Sequence, residues 1–343
     1  MAQHIVRPLI WNLAFLLFVL KVIAQESNKG EDFSPYMEEV RSWNKQMQNI
    51  QKDGIKTYKS ILTPEGLAIQ RKNLDDALSN TKTSLKPTVM SMRMGDAQFS
   101  LRIFRPKEIR AVILDIHGGA WYMGKATNDD WLNDQMARQC KAAVVSVDYG
   151  LAPEYPFPDC IRDCYAAVTW LLANARNQFG TDQIIISGAS AGAHLSALAA
   201  IYIRDSLNAI DKIAGLNLMY GAYDLGKPPS VRNATNNQFP SKLDLDELYA
   251  LVFSGWDTLR LRQPVYSPLF ADLKGLPPAL FTTGTIDPLV DNTYFMESKW
   301  REAGNKTRLE IYPECPHGFN ALPTKIAQLA NESMIKWING MLH

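Results

Sequence analysis

From about residue 87 onward, short apolar runs are separated by stretches in which apolar residues recur at three- and four-residue spacing. The first two runs, Val89–Met94 and Phe99–Phe104, flank Gly95-Asp96, a two-residue turn signal that predicts a β-hairpin. Six further runs predict strands: Ala111–Ile116, Ala143–Val147, Ile184–Ser187, Ile213–Met219, Ala279–Thr283 and Arg308–Tyr312. Helical spacing falls near Asp159–Ala175, Ala191–Ile203 and Asn292–Ala303. This alternation predicts an α/β fold, with a mostly parallel central sheet flanked by helices on both faces. Residues 225–262 break the rhythm. They are polar, then helical around Leu243–Phe253, and read as an insertion between strands, next to the N-terminal helices.

Before the first strand the period is helical. Tyr36, Val40, Trp43, Met47 and Ile50 form a stripe, and Ser34-Pro35 offers an N-cap and a first-turn proline. Thr63-Pro64-Glu65 opens a second helix pattern that runs to about Asn80. Both stripes are expected to pack against the rest of the chain rather than hold a cofactor. Further upstream, His4 and Arg7 precede the apolar stretch Leu9–Leu20, interrupted only by Asn12. That stretch is shorter than the about 20 residues needed to span a bilayer. Val22 and Ala24 suit a signal-peptidase cut, so residues 1–24 read as a secretory signal peptide and the protein as secreted or exported. An uncleaved signal anchor, leaving a membrane-anchored protein, is the rival reading. The expected organisation is a leader (1–24), an N-terminal helical region (25–85) and an α/β domain (86–343).

Composition narrows the classes. The 343 residues are 46% hydrophobic, enough for a sizeable core, and the formal charge of +1 comes without acidic or basic blocks. This argues against nucleic acid as a partner and against electrostatic attachment to membranes. No fixed-period repeat is visible. The four cysteines (Cys140, Cys160, Cys164, Cys315) do not make a disulfide scaffold in a chain this long. They read as free, mostly buried thiols, with one bridge open if the protein is exported. Asn233, Asn305 and Asn331 lie in Asn-x-Ser/Thr sequons. Association as a homodimer is left open.

The chemistry begins at residues 184–194, Ile-Ile-Ile-Ser-Gly-Ala-Ser-Ala-Gly-Ala-His. An apolar run ends in Gly-x-Ser-x-Gly and a small-residue helix pattern follows. This is the sequence form of a nucleophile elbow, a sharp strand-to-helix turn that exposes the hydroxyl of Ser190. Gly188 and Gly192 are expected because a β-carbon would clash where strand and helix backbones approach. The Ala191 amide then stands at a helix N-terminus, free to face a developing oxyanion. Serine chemistry also needs a base, a group to orient it, and further oxyanion donors. Among five histidines, His317 follows the last strand by a short loop and is the candidate base, while His194, one turn into the elbow helix, points along that helix. Asp287 follows a strand and is the candidate acid, with Asp291 as its rival. Ile116-His117-Gly118-Gly119-Ala120-Trp121 follows the strand Ala111–Ile116, and its glycines let backbone N–H groups point into a site. Gly118, Gly119 and Ala191 are the expected oxyanion donors, His117 a structural support, and Trp121 and Tyr122 candidate pocket residues or core. Glycine loop, serine, acid and histidine arrive in the chain order that an α/β-hydrolase requires.

With these motifs the chain resembles the hormone-sensitive-lipase family of α/β-hydrolase esterases, from about Ala97 to the C-terminus. The likeness rests on His117-Gly118-Gly119, Asp148-Tyr149-Gly150-Leu151-Ala152-Pro153-Glu154, Gly188-Ala189-Ser190-Ala191-Gly192, Ser267-Pro268-Leu269, Asp287-Pro288-Leu289 and His317-Gly318-Phe319. It is also similar to arylacetamide deacetylase. The resemblance implies an α/β-hydrolase fold with a helical cap, formed by the N-terminal helices and the insertion at about 225–262. It further implies serine-dependent hydrolysis of short- to medium-chain carboxylic esters, a small-molecule ester as partner, and no cofactor or metal. Ala189, Ala193 and Gly150 depart from the family's usual residues. The Ala-Gly-Ala-His run after the serine also resembles arylformamidases, so an amidase, deacetylase or formamidase is an alternative. A non-catalytic ligand-binding homologue, as in the gibberellin receptors, is a second alternative, which the presence of His317 disfavours.

Overall fold

The computed structural model describes residues 31–56, 59–78 and 82–342. The expected leader, with its rival membrane anchor, lies outside the described residues. Among the described residues no helix is long and apolar enough to cross a membrane.

The hairpin forms as expected. Strand β1 (Thr88–Met94) pairs antiparallel with β2 (Ala97–Phe104), and Met94 faces Ala97 across the turn. Gly95 there takes φ +59°, a left-handed conformation that glycine adopts without strain. The remaining strands are β3 (Ala111–Ile116), β4 (Ala142–Asp148), β5 (Ile184–Ala189), β6 (Ile213–Met219), β7 (Ala279–Gly284) and β8 (Thr307–Tyr312). They build one eight-stranded sheet in the order β1-β2-β4-β3-β5-β6-β7-β8. β2 meets β4 antiparallel and every pairing from β4 to β8 is parallel.

Parallel strands covered on both faces need apolar side chains on both. All six residues of β3 are buried, and the pleat sends Val112, Leu114 and Ile116 to one apolar layer, Ala111 and Ile113 to the other. On the first face lie α4 (Asp159–Phe179), α5 (Ala191–Tyr202) and α7 (Val290–Glu302), contributing Leu171, Leu198 and Trp300. On the second lie α3 (Asp130–Cys140) and α8 (Lys325–Met341), contributing Met136, Met334 and Ile338.

Helix α4 runs to Phe179, beyond the expected Ala175, and stops at Gly180, whose N–H still donates to the Arg176 carbonyl while its φ of +77° turns the following chain out of the helix. Helices α3 and α8 were not expected from the apolar pattern. In α3 the inward face is diluted by Asn133 and Asp134, which are buried because they have specific partners. Asn133 Nδ2 donates to Asp115 Oδ2, and Asp134 Oδ1 accepts from the Leu85 N–H.

Among the described residues two α-helices precede the sheet, α1 (Met37–Lys56) and α2 (Pro64–Leu78). Ser34 is not the cap of α1. It opens a single 3-10 turn, Ser34–Tyr36, and its own N–H is taken by Asp32 Oδ1. The expected insertion lies between β6 and β7 and carries α6 (Lys242–Val252), whose start is fixed by reciprocal bonds between Ser241 and Asp244. It touches the N-terminal region, where the Ile61 N–H donates to Glu247 Oε2.

All four cysteines are free and buried. The sequon asparagines differ: Asn233 is exposed, whereas Asn331 is buried with its side-chain amide donating to the Asn320 carbonyl.

Candidate active site

Ser190 sits between β5 and α5 with φ 55° and ψ −118°, a conformation that non-glycine residues rarely adopt. Three features hold it there. Its N–H donates to the Met219 carbonyl at the end of β6, 2.9 Å away. A β-carbon on Gly188 would fall 2.4 Å from the Gly192 carbonyl oxygen. One on Gly192 would fall 1.8 Å from the Ile116 carbonyl oxygen. The second clash is with the end of the neighbouring strand β3, so Gly192 lets the elbow helix seat against the loop that carries Gly118 and Gly119.

His317 arrives from the loop after β8. Its Nε2 is 2.8 Å from Ser190 Oγ, and its Nδ1 is 2.8 Å from Asp287 Oδ2. A carboxylate only accepts, so the proton on His317 lies on Nδ1, and Nε2 is left to accept from the serine hydroxyl. Asp287, from the loop after β7, is 1% exposed, and its Oδ1 accepts from the Leu289 N–H at 2.6 Å. Asp291 takes no part in this. Its Oδ2 accepts from the Ser230 N–H, tying the start of α7 to the insertion.

The glycine loop closes the other side. A β-carbon on Gly118 would stand 3.5 Å from the Ser190 β-carbon and 3.0 Å from the Ala189 carbonyl oxygen, so its backbone faces the nucleophile directly. Gly119 takes φ +120° and accepts the N–H groups of Tyr122 and Met123 at its carbonyl. Among the described residues no hydrogen bond takes up the Gly118 or Gly119 N–H. The Ala191 N–H lies in the first turn of α5, where helical amides have no partner within the helix.

The remaining histidines in the described part are supports. His117 stacks on Tyr149 with ring centres 4.2 Å apart and donates from Nδ1 to the Gly118 carbonyl. Burial pushes its pKa down, so it stays a neutral prop. His194 is fully buried, with Nε2 donating to the Tyr266 carbonyl and Nδ1 accepting from the Trp121 indole. Burial pushes its pKa down to about 4. With both ring nitrogens occupied, it has none to offer Ser190. Trp121 and Tyr122 are both buried, and the Trp121 ring packs edge-on against Phe157 and Phe253.

Two neighbours were not anticipated. Tyr220, directly after β6, presents its ring to His317 at 4.8 Å and donates its hydroxyl to Asn320 Oδ1. Its position at a strand's C-terminal end was the only available signal. In the histidine loop, Glu314 takes φ +53°, is gripped by Arg41 of α1, and donates its N–H to Thr285 Oγ1.

Ser190, His317 and Asp287 thus meet at the C-terminal ends of three parallel strands, with the Gly118–Gly119 loop opposite, an arrangement of the kind serine hydrolases use. A family model described as the α/β-hydrolase fold matches residues 113–321. The chain is 32% identical to an arylesterase of Saccharolobus solfataricus over 224 residues, 64% of this chain and 72% of the relative. It is 31% identical to carboxylesterase NlhH of Mycobacterium tuberculosis over 238 residues, 66% of this chain and 72% of the relative. A solved hormone-sensitive lipase from a metagenome library superposes with a TM-score of 0.72 at 26% identity, covering 88% of this chain and 98% of that one. The chain belongs to the α/β-hydrolase-fold family, in its hormone-sensitive-lipase branch.

Proposed function

We propose that this protein is a serine carboxylesterase that hydrolyses short- to medium-chain carboxylic esters through an acyl-enzyme intermediate. The observation that carries the reading is the continuous chain Ser190 Oγ, His317, Asp287, linked by two contacts of 2.8 Å. Its relatives named arylesterase and carboxylesterase support it. Ser190 Oγ attacks the ester carbonyl while His317 Nε2 takes its proton. The carbonyl π electrons move to oxygen, which meets the N–H groups of Gly118, Gly119 and Ala191. When the tetrahedral species collapses, the carbon–oxygen bond to the alcohol breaks and His317 returns the proton to that oxygen. A water then repeats the sequence on the acyl-serine and releases the acid. Asp287 stays ionised and stabilises the imidazolium at each stage. Trp121 and Tyr122, buried behind the glycine loop, back the acyl pocket.

In this reading the α/β domain spans 86–343, and residues 25–85 with the insertion at 225–262 form the cap that shapes the substrate site. The contact of Ile61 with Glu247 supports treating those two segments as one unit. Export by the leader 1–24 belongs to the same proposal, and N-terminal sequencing of the protein from its native host tests it. The substrate class is tested with p-nitrophenyl esters from acetate to laurate beside N-acetyl and N-formyl arylamines. Turnover is expected to peak at or below octanoate and to exceed that of the arylamides. Faster release of arylamine than of nitrophenol would replace the esterase by an amidase.

A further inference from the structure

The glycine loop is strained in a way that its own residues do not explain. Ala120 and Trp121 follow Gly119 with φ of 52° and 62°, two consecutive non-glycine residues in the left-handed region. Such backbone persists only where surrounding contacts impose it. The contacts come from outside the sheet. On α2, Arg71 donates from Nε to the Tyr122 carbonyl and from Nη2 to the Ala152 carbonyl, each at 2.8 Å. It also pairs with both oxygens of Glu154 at 2.8 Å. The Ala152 N–H in turn donates to the Trp121 carbonyl. One helical turn further along α2, Asp75 pairs with Lys125 and accepts from Asn128 Nδ2. A single face of α2 therefore holds both ends of the segment from Tyr122 to Asn128. Tyr122 and Met123 close their turn on the Gly119 carbonyl, so fixing Tyr122 fixes Gly119.

We infer that Arg71 is a positioning residue for ester hydrolysis. By binding the Tyr122 and Ala152 carbonyls it imposes the Ala120–Trp121 conformation that keeps the Gly118 and Gly119 N–H groups facing Ser190. The inference rests on the esterase reading and adds that the N-terminal helix takes part in catalysis through the oxyanion loop, in addition to any part in substrate entry. Glu154 pairs with the same guanidinium from its exposed side, and that bond lowers its carboxyl below the usual range without being needed for the carbonyl contacts. The carbonyl bonds do the positioning.

The test compares wild type, Arg71→Ala, Arg71→Lys and Glu154→Gln on p-nitrophenyl acetate and p-nitrophenyl butyrate, with thermal melting to confirm folding. Loosening two oxyanion donors should lower kcat of Arg71→Ala by about 10- to 100-fold with KM changed little, because the loss falls on the transition state. A boronic acid, which takes up the tetrahedral geometry, should bind more weakly in parallel. Added guanidinium should restore part of kcat in Arg71→Ala, and potassium at the same ionic strength should not. Glu154→Gln, which leaves both carbonyl bonds available, should stay near wild type. Wild-type kcat in Arg71→Ala, or a loss confined to KM, overturns the inference. If Arg71→Ala does not fold, Arg71→Lys decides. Its ammonium lacks the planar fork that reaches both carbonyls, so an unchanged kcat overturns the inference. A wild-type protein that hydrolyses no ester would remove the esterase reading first, an outcome separate from any result on Arg71.

Discussion

The Trp121 indole N–H donates to His194 Nδ1 across 3.3 Å, and through this bond the glycine loop is fastened to the elbow helix. The two residues belong to motifs that look independent in the sequence. The bond requires a neutral His194, since an imidazolium has no acceptor.

That requirement makes stability depend on pH. His194 has a folded pKa of about 4 against an ordinary value of 6.5. Between these values the unfolded chain binds a proton that the native protein does not, so native stability falls as pH falls through this window. The full shift corresponds to on the order of 3 kcal/mol. Asp115, buried under α3, has the opposite effect. Burial raises its pKa from 3.8 to about 6, so the native protein binds the extra proton between those values and gains stability on acidification. The wild-type loss is therefore partly masked. Asp115→Asn should steepen the fall in urea midpoint between pH 6 and pH 4 (the window set by the two shifts). A variant with the wild-type slope would refute the opposition.

The assignment of the acid separates cleanly. Asp287 meets His317 Nδ1, whereas Asp291 is spent on the Ser230 N–H. Asp287→Asn should lower kcat by about 10³- to 10⁴-fold, because the amide no longer holds the required tautomer. Asp291→Asn should lower kcat by less than about threefold and act mainly on melting temperature. Ser190→Ala should stay folded and lose at least about 1000-fold in p-nitrophenyl acetate turnover. Steady-state kinetics on the three variants decide the order, and a larger loss at Asp291 than at Asp287 would reverse the roles.

Much of this was legible because the chemistry is local in sequence. The elbow, the glycine loop, Asp287 and His317 each follow an apolar run, and a strand followed by its C-terminal loop is short enough to read directly. Helix α3 was hidden because Asn133 and Asp134 occupy inward positions, and polar residues inside a helix face look like solvent-facing ones until their partners are known. Arg71 and Arg41 were hidden for a related reason. Each lies on an N-terminal helix far in sequence from the loop it grips, and nothing in helical spacing distinguishes a clamp from a surface cation.

The elbow glycine Gly192 differs from the hairpin glycine Gly95 in what it guards. At Gly192 a β-carbon meets backbone, the Ile116 carbonyl oxygen at 1.8 Å, with no flexible side chain to yield. Gly192→Ala must push α5 off the end of β3. Overpacking of this kind costs about 1–3 kcal/mol or more. Differential scanning calorimetry should find this variant less stable than Gly95→Ala, whose added carbon meets nothing within 4 Å although its φ is +59°. Equal losses would mean that backbone strain, rather than the close approach, sets the requirement.

Tyr220 separates support of the fold from support of the base. Its hydroxyl donates to Asn320 Oδ1, and Asn320 is itself buried and bonded to Asn331. Tyr220→Phe removes the donor and leaves a buried acceptor unpaired, a loss of about 1–3 kcal/mol in stability. The ring stays against His317, so kcat should change little. Tyr220→Ala also removes the surface against which the imidazole packs at 4.8 Å. A base free to swing loses its alignment with Ser190 Oγ, and a displacement of about 1 Å can cost on the order of 10²-fold in rate. Chemical denaturation and kcat measured on both variants should therefore dissociate: stability falls in both, and turnover falls only in Tyr220→Ala. A parallel loss of kcat in Tyr220→Phe would mean that the hydroxyl, acting through Asn320, rather than the ring holds His317 in register.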